Sequence, residues 1–353
     1  MSEGRRRAAA AAAAGAALLS ACALVPLTQR PPVDDYPLLP ARQETGDPAP
    51  PERLTARFFG TSTLAISDGE TTIMTDGFFS RPSILELANF PVTPSRRRIE
   101  AALAKGGISR VAAIFVAQSH HDHAMDTPYV AALTGAEIVG SSSTALIARG
   151  VGFPGERIRA IGNRSVCRFG RFKVTVYRTP HSSPMPFPGE IETKLHRRAW
   201  VEDYKEGGNF SFHIEHPWGN VLIVPSRGAR LFDKVQAETV FLGIGGRVRG
   251  LEALRPLWNA FVRNSRAKTV YPIHWDFFFK APGRNGLPRL WSVRRKFGYL
   301  RQLAREQGGG PPPTVPEPPY AAPILLDPAD PERTASGVVG SCPRWTDVAE
   351  DAD

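Results

Sequence analysis

Long apolar runs and cysteine are both scarce in this sequence of 353 residues. The most apolar segment covers residues 8–21, and it is shorter than the roughly 20 apolar residues that a helix needs to cross a bilayer. A membrane-spanning helix is therefore not expected. The three cysteines are Cys22, Cys167 and Cys342. No internal repeat is found either, so a repeat architecture is not expected.

The start of the chain follows the pattern of a secretory signal, because Arg5, Arg6 and Arg7 precede the short apolar run. The run ends in the letters LSAC, which resemble the lipobox of bacterial lipoproteins. The resemblance implies that Cys22 is acylated and becomes the first residue of a lipid-anchored chain in the cell envelope, on the periplasmic face of a membrane. An ordinary cleaved signal or an Ala-rich helix is the alternative.

Export would allow a disulfide, since oxidising compartments preserve them. With Cys22 acylated, only Cys167 and Cys342 would remain to form one. Two cysteines do not decide between a pair and two lone thiols, so both readings stay open at this point.

The composition is that of a folded chain with a basic body. Apolar residues make up 42% and charged residues 22%, close to the values of soluble globular proteins. Residues 311–353 carry eight acidic and two basic side chains and residues 1–21 a net +2, so of the total charge of +10 residues 22–310 carry +14. Such a body suits an anionic membrane face or an anionic substrate, although a solvated Arg-rich surface explains it equally well. No nucleic-acid motif is found, so nucleic acid is not expected as a partner.

Four segments are predicted from changes in composition and charge along the chain. Residues 1–21 are the signal peptide and residues 22–52 a Pro-rich tether without apolar periodicity. Residues 53–310 alternate strand and helix patterns, which predicts an α/β domain with layered sheets. Residues 311–353, which begin with a Pro-rich run, form an acidic tail.

The histidines that suggest chemistry all follow predicted strands. His120 comes after the apolar run VAAIFVA, His181 after FKVTVYR, and His274 after TVYPI. Sheet edges at the carboxyl ends of strands are where α/β proteins bind ligands. By contrast, His196, His213 and His216 are interpreted as surface or hydrogen-bonded histidines.

The sharpest local pattern is Ser119-His120-His121-Asp122-His123. Zinc takes imidazole nitrogens and carboxylate oxygens, and a catalytic site leaves one position for water. The chain has only eight histidines, so three of them around one aspartate favour a metal site over a solvated His-rich loop.

The segment QSHHDHAMD resembles the HxHxDH signature of the metallo-β-lactamase superfamily, in the branch that includes lactonases and enzymes similar to N-acyl phosphatidylethanolamine phospholipase D. The likeness extends to RFFGTSTLAI before the motif and to TPHSS and PIHWD after it. These segments come in the order of that family, over roughly residues 53–280. The resemblance implies a four-layer αββα sandwich with a metal cleft at one edge of its two sheets.

The resemblance also implies which residues hold metal. His120 and His181 would bind a first ion, while Asp122, His123 and His274 would bind a second, with Asp122 and His123 also acting in catalysis. Two ligands of the family are replaced, by Gln118 in the motif and by Ser226 after the strand VLIV. These weaker ligands predict one tightly bound Zn²⁺, with a second ion as the alternative.

Two further aspartates are expected to support the ligands. Asp76 is interpreted as a hydrogen-bonding residue. Asp126 either caps the helix after the motif or accepts a hydrogen bond from a ligand histidine. The irregular segment 184–208 follows His181, and we expect it to form a specificity loop over the cleft.

The function predicted from these residues is hydrolysis of an ester, lactone or phosphodiester by metal-bound hydroxide, with a small-molecule, lipid-derived or anionic substrate. The alternative is a catalytically degenerate lipoprotein that binds a metal or ligand without turnover, for which Gln118 and Ser226 are the argument. An antibiotic-degrading lactamase is disfavoured, because those enzymes keep a complete first site.

Overall fold

The structure is a computed structural model, and it describes residues 53–182, 184–229, 235–283, 286–328 and 342–345. The expected signal peptide, the tether and Cys22 lie outside the described residues, so these interpretations stay predictions. Among the described residues, no helix combines the length and the apolar composition that a membrane crossing requires.

Helices and strands alternate through most of the described chain. The α-helices of the described residues are α1 (Ile84–Asn89), α2 (Arg96–Gly106), α3 (His121–Ala124), α4 (Thr127–Thr134), α5 (Ser142–Gly150), α6 (Arg255–Trp258) and α7 (Val293–Glu306). Its strands are β1 (Thr55–Phe58), β2 (Leu64–Ser67), β3 (Thr72–Thr75), β4 (Ala113–Phe115), β5 (Glu137–Gly140), β6 (Ile158–Ala160), β7 (Val166–Phe169), β8 (Phe172–Arg178), β9 (Phe210–Glu215), β10 (Val221–Val224), β11 (Thr239–Gly243), β12 (Thr269–Ile273) and β13 (Pro323–Leu325).

The described strands form two mixed sheets. The first has the order β13-β1-β2-β3-β4-β5-β6 and the second the order β12-β11-β10-β9-β8-β7. Strands β3 to β6 run parallel to one another, and so do β10 to β12, while the remaining neighbours are antiparallel. Loops after β3 and β4 of one sheet and after β8, β10 and β12 of the other carry the residues with candidate chemistry.

The two sheets pack face to face, since alternate residues of each point into one shared apolar core. Ile73 and Phe115 of the first sheet belong to the same buried cluster as Val174, Phe212 and Ile223 of the second. Burying side chains of this size stabilises the fold by about 1.5–3 kcal/mol each. The outer face of the first sheet is covered by α4 and α5, and that of the second by the helical segments after β11. The predicted four-layer αββα architecture is therefore confirmed.

Local sequence explains where several helices begin and end. Ser83 and Glu86 form a capping box at the start of α1. Helix α2 ends at Gly107, which adopts the left-handed conformation with φ of 63°. Ser95 precedes α2, but its side chain makes no capping hydrogen bond.

The boundary predicted at residue 310 is wrong, because described residues beyond it belong to the domain. Strand β13 pairs antiparallel with β1, and Ile324 is buried. Without this strand, β1 would expose its backbone N–H and C=O groups at a sheet edge. Cys342 forms a disulfide with Cys167 of β7, with the two Cα atoms 5.1 Å apart. The pairing that the sequence left open is thus present in the structure.

Candidate metal centre

The motif Gln118–His123 lies in the loop after β4 and runs into α3. Its side chains are largely buried, His123 being fully inaccessible and Asp122 7% exposed. A buried strand that leads at once into a short helix therefore places several metal-binding groups in the interior, at the end of β4, rather than on the surface.

Asp122, His123 and His274 bring three potential ligand atoms within 4.8 Å of one another. The Oδ2 atom of Asp122 lies 3.5 Å from Nε2 of His123 and 3.4 Å from Nε2 of His274. Tetrahedral ligands at the zinc bond length of about 2.1 Å stand about 3.4 Å apart, so the observed spacing fits one ion. The predicted ligands of the second ion are thus brought together.

A hydrogen bond from His123 to Asp76 decides which nitrogen faces this group. Nδ1 of His123 lies 2.9 Å from Oδ2 of Asp76, whose other oxygen accepts the backbone N–H of Ala117 at 2.8 Å. Because a carboxylate can only accept, Nδ1 carries a proton, and Nε2 is the nitrogen that faces Asp122 and His274. Asp76 therefore has the hydrogen-bonding role expected from the sequence.

Charge within this group favours an ionised aspartate. Burial acts to raise the pKa of Asp122, but His123 and His274 override it and hold that pKa well below its usual range. Burial acts to lower the pKa of His123, whereas the carboxylates of Asp122 and Asp76 raise it above its usual value. A carboxylate close to two imidazoles is a donor set that suits a divalent cation.

Gln118 lies where the family has a histidine, and its amide competes for the same nitrogen. Its Nε2 atom is 2.6 Å from Nε2 of His123, and its Oε1 atom is buried with no hydrogen-bond partner among the described residues. Rotation of the amide by 180° would present that oxygen instead of the NH₂ group. A buried amide oxygen without a hydrogen-bond partner is suited to coordinate a cation beside His123.

His120 and His181 are not part of the compact group. Their rings pack edge to face with centroids 5.4 Å apart. Nε2 of His120 lies 2.9 Å from the carbonyl of Pro186, and Nδ1 of His181 lies 2.7 Å from the carbonyl of Ser182. Burial lowers the pKa of His120 to about 4 and also lowers the pKa of His181. Both rings are thus neutral at pH 7 and are engaged by loop carbonyls.

Ser226, the other substituted ligand, lies near the same loop. Its hydroxyl accepts the backbone N–H of Ser182 at 3.3 Å. The first-ion half of the predicted site is therefore held by neutral hydrogen bonds, and among the described residues it does not form a cluster of three ligands.

The expectation for Asp126 is wrong in both of its forms. Asp126 precedes α4, but its side chain does not cap that helix. Its carboxylate instead accepts the N–H groups of Phe79 and Ser80 at 2.7 Å and 2.6 Å and the Ser80 hydroxyl at 2.6 Å. Burial raises the pKa of Asp126 to about 6. Asp126 therefore fixes the loop after β3, while the carboxylate that holds His123 is that of Asp76.

Aromatic side chains line the approach to the group. Phe278 packs edge-on against His274, with ring centroids 5.5 Å apart, and it also contacts Phe78 and Phe279. His121 lies against Phe78 and Phe278, and its buried Nε2 has no partner within the described ranges. The wall beside the candidate metal position is therefore apolar.

Three residues that position His274 were missed in the sequence. The N–H of His274 donates to the carbonyl of Thr61 at 2.6 Å, and the N–H of Thr61 donates to Oδ1 of Asp276 at 2.8 Å. Asp276 is paired with the buried Arg81. Asp276 is the last residue of PIHWD, a segment that carries the family resemblance, so the sequence offered a way to find it. Nothing in the sequence singled out Arg81. Gly245 also touches His274, since a Cβ there would lie 2.8 Å from Nδ1.

The segment 184–208 contacts the motif at two points. The Pro186 carbonyl meets His120, and the N–H of Ser119 donates to the Glu206 carbonyl at 2.8 Å. The segment is also closed on itself, because Gly207 donates to the Gly189 carbonyl at 2.9 Å. Its position beside the motif is the one that the sequence predicted.

No family model and no curated protein matches this sequence. Among solved structures, the chain resembles Igni18, a metallo hydrolase from Ignicoccus hospitalis, at 16% identity over 77% of this chain and 98% of that chain, with a TM-score of 0.44. It resembles the metallo-beta-lactamase fold protein YhfI from Bacillus subtilis at 13% identity over 77% and 98%, with a TM-score of 0.46. It also resembles CmlA, a diiron beta-hydroxylase from Streptomyces venezuelae, at 13% identity over 78% and 55%, with a TM-score of 0.47.

Proposed function

We propose that this protein is a metal-dependent hydrolase of the metallo-β-lactamase superfamily, anchored in the cell envelope through Cys22, that holds one zinc ion at Asp122, His123 and His274. The observation that carries the proposal is the spacing of these three ligand atoms, at 3.4 Å and 3.5 Å from the central carboxylate oxygen. Two imidazoles and one carboxylate also form one of the ligand sets of catalytic zinc, which leaves its fourth position for water or substrate.

A zinc ion at this place would lower the pKa of a bound water and polarise the bond under attack. The surrounding residues would orient the ligands and the attacking water. Asp76 keeps the proton of His123 on Nδ1, and Asp122 stays ionised at neutral pH, so its carboxylate can orient the attacking water by accepting a hydrogen bond. The buried Phe78 and the half-buried Phe278 shield one side of the site from bulk water.

We infer that the substrate is an ester, a lactone or a phosphodiester. The apolar wall accommodates a lipid-derived or otherwise apolar group next to the scissile bond, and the basic body of the chain attracts an anionic one. A degenerate protein that binds metal without turnover is the second candidate, because Gln118 and Ser226 replace two ligands of the family.

The test is hydrolysis by the purified chain across a panel of esters, lactones and phosphodiesters, before and after chelation. Activity should disappear with the chelator and return with zinc, and Asp122→Asn should lower it by a factor of about 100 or more. His196→Ala is the matched control, because His196 is exposed, and it should retain activity. Zinc binding without hydrolysis of any substrate would favour the degenerate protein instead.

A further inference from the structure

Four large apolar side chains are left exposed on two segments that are joined by a backbone hydrogen bond. Among the described residues, Ile84, Leu85, Phe90 and Trp200 are each 42–51% exposed. Elsewhere in that part of the chain, the only other exposed large apolar side chains are Trp291 and Leu325, on separate elements. Soluble proteins expose single apolar residues routinely, but a group of four is typical of an interaction surface.

Two chain segments form this apolar face, which we define as Ile84, Leu85, Phe90 and Trp200. Ile84 and Leu85 begin α1, whose Leu87 is buried against the domain. Phe90 ends the helix. The chain then pairs with the segment that carries Trp200, since the N–H of Val92 donates to the carbonyl of Ala199 at 2.7 Å. The apolar face is therefore held by backbone hydrogen bonds rather than by a loose loop.

Both segments of the apolar face also reach the candidate metal centre. Residues 78–81 lead directly into α1, and Phe78 packs against His121. Trp200 belongs to the segment 184–208, whose Pro186 carbonyl lies 2.9 Å from Nε2 of His120. The apolar face is therefore connected through both of its segments to residues that contact His120 and His121.

The size and charge of this region favour a membrane over a protein partner. The four side chains expose roughly 400 Å², about half of the ~800 Å² that each partner of a stable protein complex buries. Arg97 of α2 and Lys194 and Arg198 of the segment 184–208 are exposed, as are Glu190, Glu192 and Glu202 of that segment, and residues 22–310 carry a net charge of +14. The nearby acidic residues Glu86 and Asp203 are bound to backbone N–H groups of their own segments.

We propose that the apolar face docks the domain on the surface of an anionic lipid bilayer, with Ile84, Leu85, Phe90 and Trp200 inserted among the headgroups and the entrance of the metal centre turned toward the lipid. Aliphatic and aromatic residues flanked by arginine and lysine are the composition of such interfacial contacts. The inference requires neither hydrolysis nor acylation of Cys22.

The test is vesicle flotation of the full chain carrying Cys22→Ser, so that no attached lipid contributes to binding. The chain should float with phosphatidylcholine vesicles that contain phosphatidylglycerol and much less with phosphatidylcholine alone. The double variant Leu85→Ser and Trp200→Ser should bind about tenfold more weakly. Trp291→Ser is the matched control, because Trp291 is the most exposed aromatic residue described, at 85%, and this variant should bind as the parent chain does.

Flotation of the double variant equal to that of the parent chain would overturn the proposal, and so would a lack of binding to both kinds of vesicle. Sedimentation velocity tests whether a second copy of the chain, rather than a membrane, covers the apolar face. A dimer that the double variant loses would make the apolar face a contact between two copies and would also overturn the proposal. Unchanged thermal unfolding of the double variant, which alters only exposed side chains, shows that any loss of binding is local.

Discussion

Arg81 and Asp276 form a buried ion pair, in which Nη2 of Arg81 lies 2.7 Å from Oδ2 of Asp276 and neither side chain is more than 1% exposed. The other oxygen of Asp276 holds Thr61, and Thr61 holds the backbone of His274. His274 itself has φ of 55°, an uncommon conformation for a residue with a side chain. The ion pair thus fixes a strained turn that delivers one of the three candidate ligands.

Loss of Arg81 should therefore weaken both the fold and metal binding. Arg81→Met leaves the Asp276 carboxylate buried without its partner, and we expect a loss of about 3–5 kcal/mol in the free energy of unfolding. The double variant Arg81→Met and Asp276→Asn should recover part of it. Denaturant unfolding measures the first effect and zinc titration the second. Arg289→Met, which breaks an exposed pair with Glu317, should change stability by less than about 1 kcal/mol.

Removal of the Asp76 carboxylate should lower metal affinity. Asp76→Asn loses the acceptor that keeps the proton of His123 on Nδ1, so zinc should bind about 10–100-fold more weakly in a titration of the chelator-stripped protein. Asp68→Asn offers a matched control. Asp68 lies 3.1 Å from Nε2 of the buried His216, an equivalent pair away from the site. If both variants lowered zinc affinity equally, Asp76 would have no specific role in positioning the ligand.

Metal titration should show about one tight equivalent of zinc per chain. The compact group contains Asp122, His123 and His274, whereas His120 and His181 are bound to loop carbonyls and lack the family's bridging carboxylate, replaced by Ser226. Two cations close together would repel each other with little to offset the repulsion. His274→Ala should lose the tight equivalent and His181→Ala should keep it. Two tight equivalents in the unmodified chain would contradict this asymmetry.

Shortening the segment 184–208 should change substrate preference without releasing the metal. Residues 192–198 carry none of the contacts that we describe between this segment and the motif, so they can be replaced by a short glycine linker. We expect altered relative rates across the panel of substrates and an unchanged zinc affinity. An equal change in the exposed stretch 308–312 is the control. Identical rates for every substrate would show that the segment is only a connection.

Stability of the metal-free protein should fall on acidification, partly through His121. Burial lowers the pKa of His121 from 6.5 to about 4, so the unfolded chain takes up a proton before the folded chain does. The contribution is present above pH 6.5 and is lost as the pH falls toward 4, by about 3 kcal/mol at most. His121→Leu should reduce the difference between unfolding free energies at pH 7 and pH 4.5. His196→Leu, at an exposed position, should leave the difference as it is.

The sequence predicted those parts of the structure that depend on residues close together in the chain. His120 to His123 form one continuous motif after an apolar strand, and the alternation of strands and helices predicted the layers. The errors concern contacts between distant residues. Asp126 could reach either a helix or a loop from its position, and only the folded chain brings Phe79 and Ser80 to it. Arg81 lies 195 positions from Asp276, so no local pattern could connect them.

The pairing of β1 with β13 places the first and the last described strands side by side, since Thr55 lies opposite Leu325. Adjacent ends allow a chain to be joined head to tail and reopened elsewhere without disturbing its core. A circular permutant that links the two strands and opens at the exposed turn after α7 would keep every residue of the metal centre, although it would give up the disulfide to Cys342. Sequences attached before β1 and after β13 also start from the same edge of the first sheet, so a fusion at either end begins at that edge.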